Sequence, residues 1–211
     1  MDGEVGVRNR TANVDEDFWD IFDVLDFTAA LNVEVRYCGH WLFFVNAIYI
    51  KTEEDARPGG LLSGIISEVD LTQKYVNSDF GVGYNLFPKK RLRLEPFGGG
   101  RLTYLDAEID LHIAGPNPEF SRSRTWVDPI VGLMFQYPTD SRFSLIAEAD
   151  IGGFGVNSDS TWQAQGGIEW DVTRHFYLRG TYRHLSTDYD DDGLLYDVAL
   201  SGPQLEIGFR F

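Results

Sequence analysis

The stretch Gly202-Pro203-Gln204-Leu205-Glu206-Ile207-Gly208-Phe209-Arg210-Phe211 constrains the fold more than any other part of this chain. Leu205, Ile207, Phe209 and Phe211 share one face, and Gln204, Glu206, Gly208 and Arg210 share the other. A period of two is the signature of a β-strand with two chemically different sides. An apolar face carried to a terminal aromatic suits a sheet whose outer side meets lipid and whose inner side is polar. The alternation therefore predicts an all-β, antiparallel transmembrane β-barrel.

Turn residues divide the chain into ten expected strands, at 3–14, 28–38, 41–51, 65–87, 91–113, 126–137, 142–156, 161–171, 175–187 and 196–211, with eight strands as the alternative count. Between them, short connections such as Pro138-Thr139-Asp140-Ser141 alternate with long ones such as 115–124. Short periplasmic turns and long extracellular loops are the arrangement expected of a bacterial outer-membrane barrel.

Facing sharpens the expectation. Trp162, Ala164, Gly166, Ile168 and Trp170 alternate with Thr161, Gln163, Gln165, Gly167 and Glu169, and the other strands follow suit. The polar face carries Glu34, Arg36, Asp79, Arg93, Glu95, Arg101, Glu148, Asp150, Glu169, Arg179, Arg183, Glu206 and Arg210. In a narrow barrel these side chains form a lumen charge network that fills most of the interior. The expected role is structural or surface-exposed, or a narrow, gated, porin-like passage for small solutes.

Composition narrows the remaining classes. The 211 residues hold no Pro/Gly/Ser-rich linker, so one domain over 1–211 is expected. No apolar run approaches the ~20 residues of a membrane helix. A net charge of −15 argues against nucleic acid as a partner. The single cysteine, Cys38, leaves no internal disulfide to form. Met1-Asp2-Gly3-Glu4 lacks the basic start and apolar core of a signal peptide. The expectation is therefore a sequence lacking its signal peptide and the start of strand one.

Trp126-Val127-Asp128-Pro129-Ile130-Val131-Gly132, Ala149–Gly155, Thr161–Ala164, Asp188–Gly193 and the closing Gly202–Phe211 resemble stretches of small Gram-negative outer-membrane β-barrels of the OmpA/OmpW kind, and more closely an uncharacterised group among them. The resemblance implies a bacterial outer-membrane location in the cell envelope. It also implies outer-membrane lipid, lipopolysaccharide and the barrel-insertion machinery as partners, with Leu205, Ile207, Phe209 and Phe211 as the membrane-insertion signal that this machinery reads. It carries no activity.

Four motifs suggest chemistry. Asp188-x-Asp190-x-Asp192-Gly193 matches the opening of an EF-hand loop, although Ala199 stands where its last ligand belongs. The expectation is no cofactor, with Ca²⁺ or Mg²⁺ at acidic loops as the exception. His184-x-Ser186, with Asp197 on the facing strand, resembles the arrangement of outer-membrane lipid A deacylases, an alternative function as an outer-leaflet hydrolase. Asp110-x-His112 with Glu148-x-Asp150 is similar to the acid/His sets of ten-stranded outer-membrane proteases. Residues 17–25 carry apolar side chains at helical spacing after Asp17. Taken together these motifs favour a protein that is not an enzyme. A further alternative is a soluble β-barrel carrier of the lipocalin kind, which would place apolar residues inside.

Overall fold

The computed structural model describes residues 2–7, 10–15, 25–56, 66–113, 119–139, 141–191 and 194–211. All regular structure among them is β: β1 (Asp2–Val7), β2 (Arg10–Asp15), β3 (Leu25–Tyr37), β4 (Trp41–Ala56), β5 (Ile66–Tyr84), β6 (Arg93–Ile113), β7 (Glu119–Pro138), β8 (Phe143–Gly152), β9 (Ser160–Asp171), β10 (Phe176–Asp191) and β11 (Leu194–Phe209). From β3 to β11 each strand pairs antiparallel with the next, an up-and-down meander. Beyond β11 the order continues through β1 to β2.

Local chemistry places the turns. Cys38 (φ 52°) and Gly39 (φ 71°) both sit at positive φ in the three-residue connection between β3 and β4, as a turn of primed type requires. The His40 amide donates to the Tyr37 carbonyl at 3.3 Å to close it. Two inward glycines permit the tight curl of the sheet. A Cβ on Gly99 would lie 1.9 Å from the Phe80 carbonyl oxygen, and one on Gly167 would lie 2.0 Å from that of Gly180.

The closed transmembrane barrel expected from the sequence is not formed. Strands β3–β11 make a curled nine-stranded half-barrel whose edges stand 8 Å apart, whereas paired strands lie about 4.8 Å apart. The physical reason lies at the N-terminus. In place of one strand over 3–14, the chain folds back into the hairpin β1–β2, and β1 covers only Leu194–Ala199 of β11. The outer edge of β11 beyond Ala199 and the outer edge of β3 have no ladder partner among the described residues. Unpaired edge amides and carbonyls are costly in hydrocarbon, so the open edges argue against integral outer-membrane placement. They likewise remove the basis for the likeness to OmpA/OmpW-type barrels. The porin-like passage fails for a related reason: the sheet encloses no complete lumen. The strand count differs from both ten and eight. No helix among the described residues is long and apolar enough to cross a membrane.

Strand limits also moved. β10 and β11 consume nearly all of the expected acidic loop 188–195, and β7 starts at Glu119, inside the expected loop 115–124. Most of the expected helix 17–25 lies outside the described residues.

Candidate functional site

The concave side is a solid core. Along β6 the inward residues run Glu95, Phe97, Arg101, Thr103 and Leu105, so charge and hydrocarbon come in layers. Leu42, Phe44, Phe97 and Ile130 form one apolar cluster, and Trp126, Tyr189, Tyr196 and Val198 form another. Alternation alone places neither cluster on the polar side.

Between them lies Arg101, with no exposed surface. Its Nε donates to Asp79 Oδ1 at 2.7 Å, and its Nη2 reaches Asp79 Oδ2 at 3.1 Å, Asp150 Oδ2 at 3.0 Å and Gln163 Oε1 at 3.3 Å. Its Nη1 donates to Thr161 Oγ1 at 3.1 Å. Burial works against the guanidinium charge, but Asp79 and Asp150 outweigh it and hold the group well above its ordinary pKa. Arg183 extends the network to Gln163 at 2.7 Å, Asn77 at 2.8 Å and Asp79 at 3.5 Å. Gln163 in turn donates to Glu148 Oε1 at 3.2 Å.

A second ionic layer sits nearer the short turns. Glu169, fully buried, accepts from Arg179 at 2.8 Å and Gln136 at 2.9 Å, and it also pairs with Arg210. Arg179 contacts Glu206 at 3.3 Å and Glu34 at 3.8 Å. Arg36 joins Glu34 at 2.7 Å and grips Glu95 with two bonds of 3.1 and 3.3 Å. Burial raises the Glu34 pKa, but Arg36 and Arg179 outweigh it and leave the net shift downward. Arg93 donates to Gln136 at 2.7 Å. The expected lumen charges thus face a filled concavity instead of a channel. The contact from Glu34 on β3 to Arg179 on β10 draws distant strands together across it.

The convex face is apolar along most of the described strands. Leu31, Val33, Val35, Phe43, Val45, Phe80, Val82, Val131, Leu133, Leu145, Ile151, Ile168, Leu205 and Ile207 are exposed there. Rings gather near the short turns, where Trp41 meets Tyr84 at 5.2 Å and Phe143 stacks on Trp170 at 6.1 Å.

On this face β9, β10 and β11 form an open groove of about 720 Å³. Register explains it. Gly180 lies between Ile168 and Leu205, and Gly166 opposes Tyr182, itself opposite Pro203. Two missing side chains make the floor, and Trp170, Leu178, Tyr182, Leu205 and Ile207 make the walls. Volumes of 300–1,000 Å³ with mostly apolar lining are typical of small-molecule sites. Just beyond Tyr182 and Pro203 the face turns polar: His184 Nδ1 meets Ser201 Oγ at 2.6 Å, and the His184 ring lies 4.6 Å from that of Trp162.

The other sequence candidates separate. His184 bonds Ser201 and not Ser186, which lies opposite Ala199; Asp197 lies opposite Asp188, further along the ladder. The triad His184, Ser186 and Asp197 is therefore not assembled. Asp188 and Asp190 stand on extended, paired strand and not in an EF-hand loop, and Asp192 lies outside the described residues. Burial, then Asp197, Asp159 and Asp190, raise the Asp188 pKa. Among the described residues no group of three or more His, Cys, Asp or Glu is placed to hold a metal ion. The side chains of Asp110 and His112 are outside the description.

No protein-family model matches the chain, and no curated protein or solved structure matches it significantly. Function must therefore be argued from the two faces themselves.

Proposed function

We propose that this protein is a lipid-binding carrier that holds a single-chain amphiphile in the convex groove between β9 and β11. The groove carries this reading. On β11 its outward residues Ile207, Leu205 and Pro203 are apolar and give way to Ser201, six residue steps from Ile207 or about 20 Å at ~3.3 Å per residue, and the bonded polar pair His184 and Ser201 stands at that end. An extended acyl chain with a polar head has that shape and polarity. A flexible chain follows a narrow, glycine-floored channel on a convex surface, whereas a folded protein partner would bridge across it. This departs from a lipocalin-like carrier in one respect. Cargo cannot lie inside, because Arg101, Asp79, Phe97 and Ile130 are packed there with 6% exposure or less.

Gly180 provides the test. A Cβ there would meet only Leu205 Cδ2, at an ordinary 3.8 Å, so Gly180→Leu fills the groove without straining the backbone. Displacement of a fluorescent long-chain fatty acid by an unlabelled one is expected to be saturable in wild type and at least about tenfold weaker in the variant, since ~1.4 kcal/mol of lost burial suffices. Non-saturable uptake, or equal affinity in the two proteins, would refute the reading.

A further inference from the structure

Three carboxyl groups and two guanidinium groups share the upper concave core: Asp79, Asp150 and Glu148 against Arg101 and Arg183. The charges do not balance unless one carboxyl is neutral. Asp79 is bonded by Arg101 through both oxygens, and Asp150 takes Arg101 at Oδ2. Among the described residues Glu148 receives only a neutral donor, the Gln163 amide. That amide cannot turn round, because its oxygen accepts from both guanidinium groups. A second observation points to the same place. Asp150 Oδ1 is buried and has no hydrogen-bond partner among the described residues. Glu148 and Asp150 stand two apart on β8, on one face of the strand.

We propose that Glu148 and Asp150 form a proton-binding carboxyl pair, in which Glu148 is the neutral acid and its Oε2–H donates to the free Oδ1 of Asp150. The bound proton balances the charges and supplies the missing donor at once. Around Glu148, β5 contributes Asp79, β8 Asp150, β10 Arg183 and β3 Glu34, with Arg101 of β6 completing the cluster. β9 and β7 set neutral Gln165 and Met134 opposite it in the ladders. Burial chiefly, then Asp79 and Asp150, push the Glu148 pKa up to about 8. Loss of the proton leaves one uncompensated negative charge in the core. The concave side is thereby a pH-responsive element, sealed when protonated and loosened when not.

Infrared spectroscopy of the intact protein with ¹³C-labelled glutamate tests the pair. Wild type is expected to show a glutamic-acid C=O band at neutral pH that is lost around pH 8, about where Glu148 titrates. Glu148→Gln should lack that band. Asp150→Asn removes the negative neighbour and frees Arg101, so the loss should move down by at least about one pH unit. An absent band at neutral pH, or a band that persists in Glu148→Gln, overturns the proposal. Should Glu148→Gln fail to fold, the wild-type titration and the Asp150→Asn shift decide it: no shift overturns the assignment.

Discussion

Replacing Arg101 by Met tests whether the concave ionic layer holds the curl together. The substitution keeps much of the side-chain volume and removes a guanidinium with no exposed surface. Its loss strands Asp150 Oδ2, which it pairs at 3.0 Å, and leaves Asp79 with Arg183 at 3.5 Å. Breaking a buried pair by deleting one partner typically costs about 3–5 kcal/mol, because the remaining charge is buried without compensation. For a chain of this size that corresponds to a fall in Tm of about 6–20 °C. Urea unfolding followed by tryptophan fluorescence measures it, with an unchanged m-value expected because the folded state stays compact. Arg101→Met with Asp150→Asn should recover about 1–3 kcal/mol of the loss, since the amide removes the stranded charge. A single-variant loss below about 1 kcal/mol, or no recovery in the double variant, would refute the reasoning.

Three further outcomes follow from particular contacts. Because the Glu148 pKa rises from 4.5 to about 8 on folding, the folded state binds more protons in that window; the contribution of this one group to stability is fully present below about 4.5, and at most about 5 kcal/mol of it is lost as pH rises through about 8. Glu148→Gln should flatten this slope in urea midpoints measured across the window. Gly99→Ala forces a Cβ to within 1.9 Å of the Phe80 carbonyl oxygen, so a loss of about 3 kcal/mol is expected by calorimetry, at the upper end for overpacking. Asp128 accepts from Ser158 N at 2.8 Å, Ser158 Oγ at 2.6 Å and Trp126 Nε1 at 3.0 Å. Asp128→Ala leaves these donors unpaired, costs about 2–3 kcal/mol, and should speed amide exchange in the turn after β8.

Much of the sheet is legible in the chain because side-chain alternation is local. Ser144, Glu148 and Asp150 opposite Phe143, Leu145 and Ile151 suffice to separate the faces of β8. Positive-φ turns such as Cys38-Gly39 are nearly as readable, though their centres shift by a residue. Candidate sites fare worse, because a site depends on register between strands. His184 was paired in expectation with Ser186 on its own strand, but the neighbouring ladder brings Ser201 to it. No spacing in the sequence shows that Gly180 falls between Ile168 and Leu205, and so none shows the groove.

What the sequence by itself determined is therefore the β character, the antiparallel order from β3 onward and the chemistry of each face. A period of two and turn residues are properties of short windows, and they need no partner to be read. The tertiary structure decided closure, register and the contents of the concavity. Closure depends on whether residues near the N-terminus form one long strand or the hairpin β1–β2, a choice between two ladders that is made by long-range pairing and not by a short window. The inward position of Phe44, Phe97 and Ile130 depends on how layers stack across the curl, a distance of many strands and not of neighbouring residues. An alternating sequence fixes which side of a strand is polar; only the folded sheet decides what that side meets.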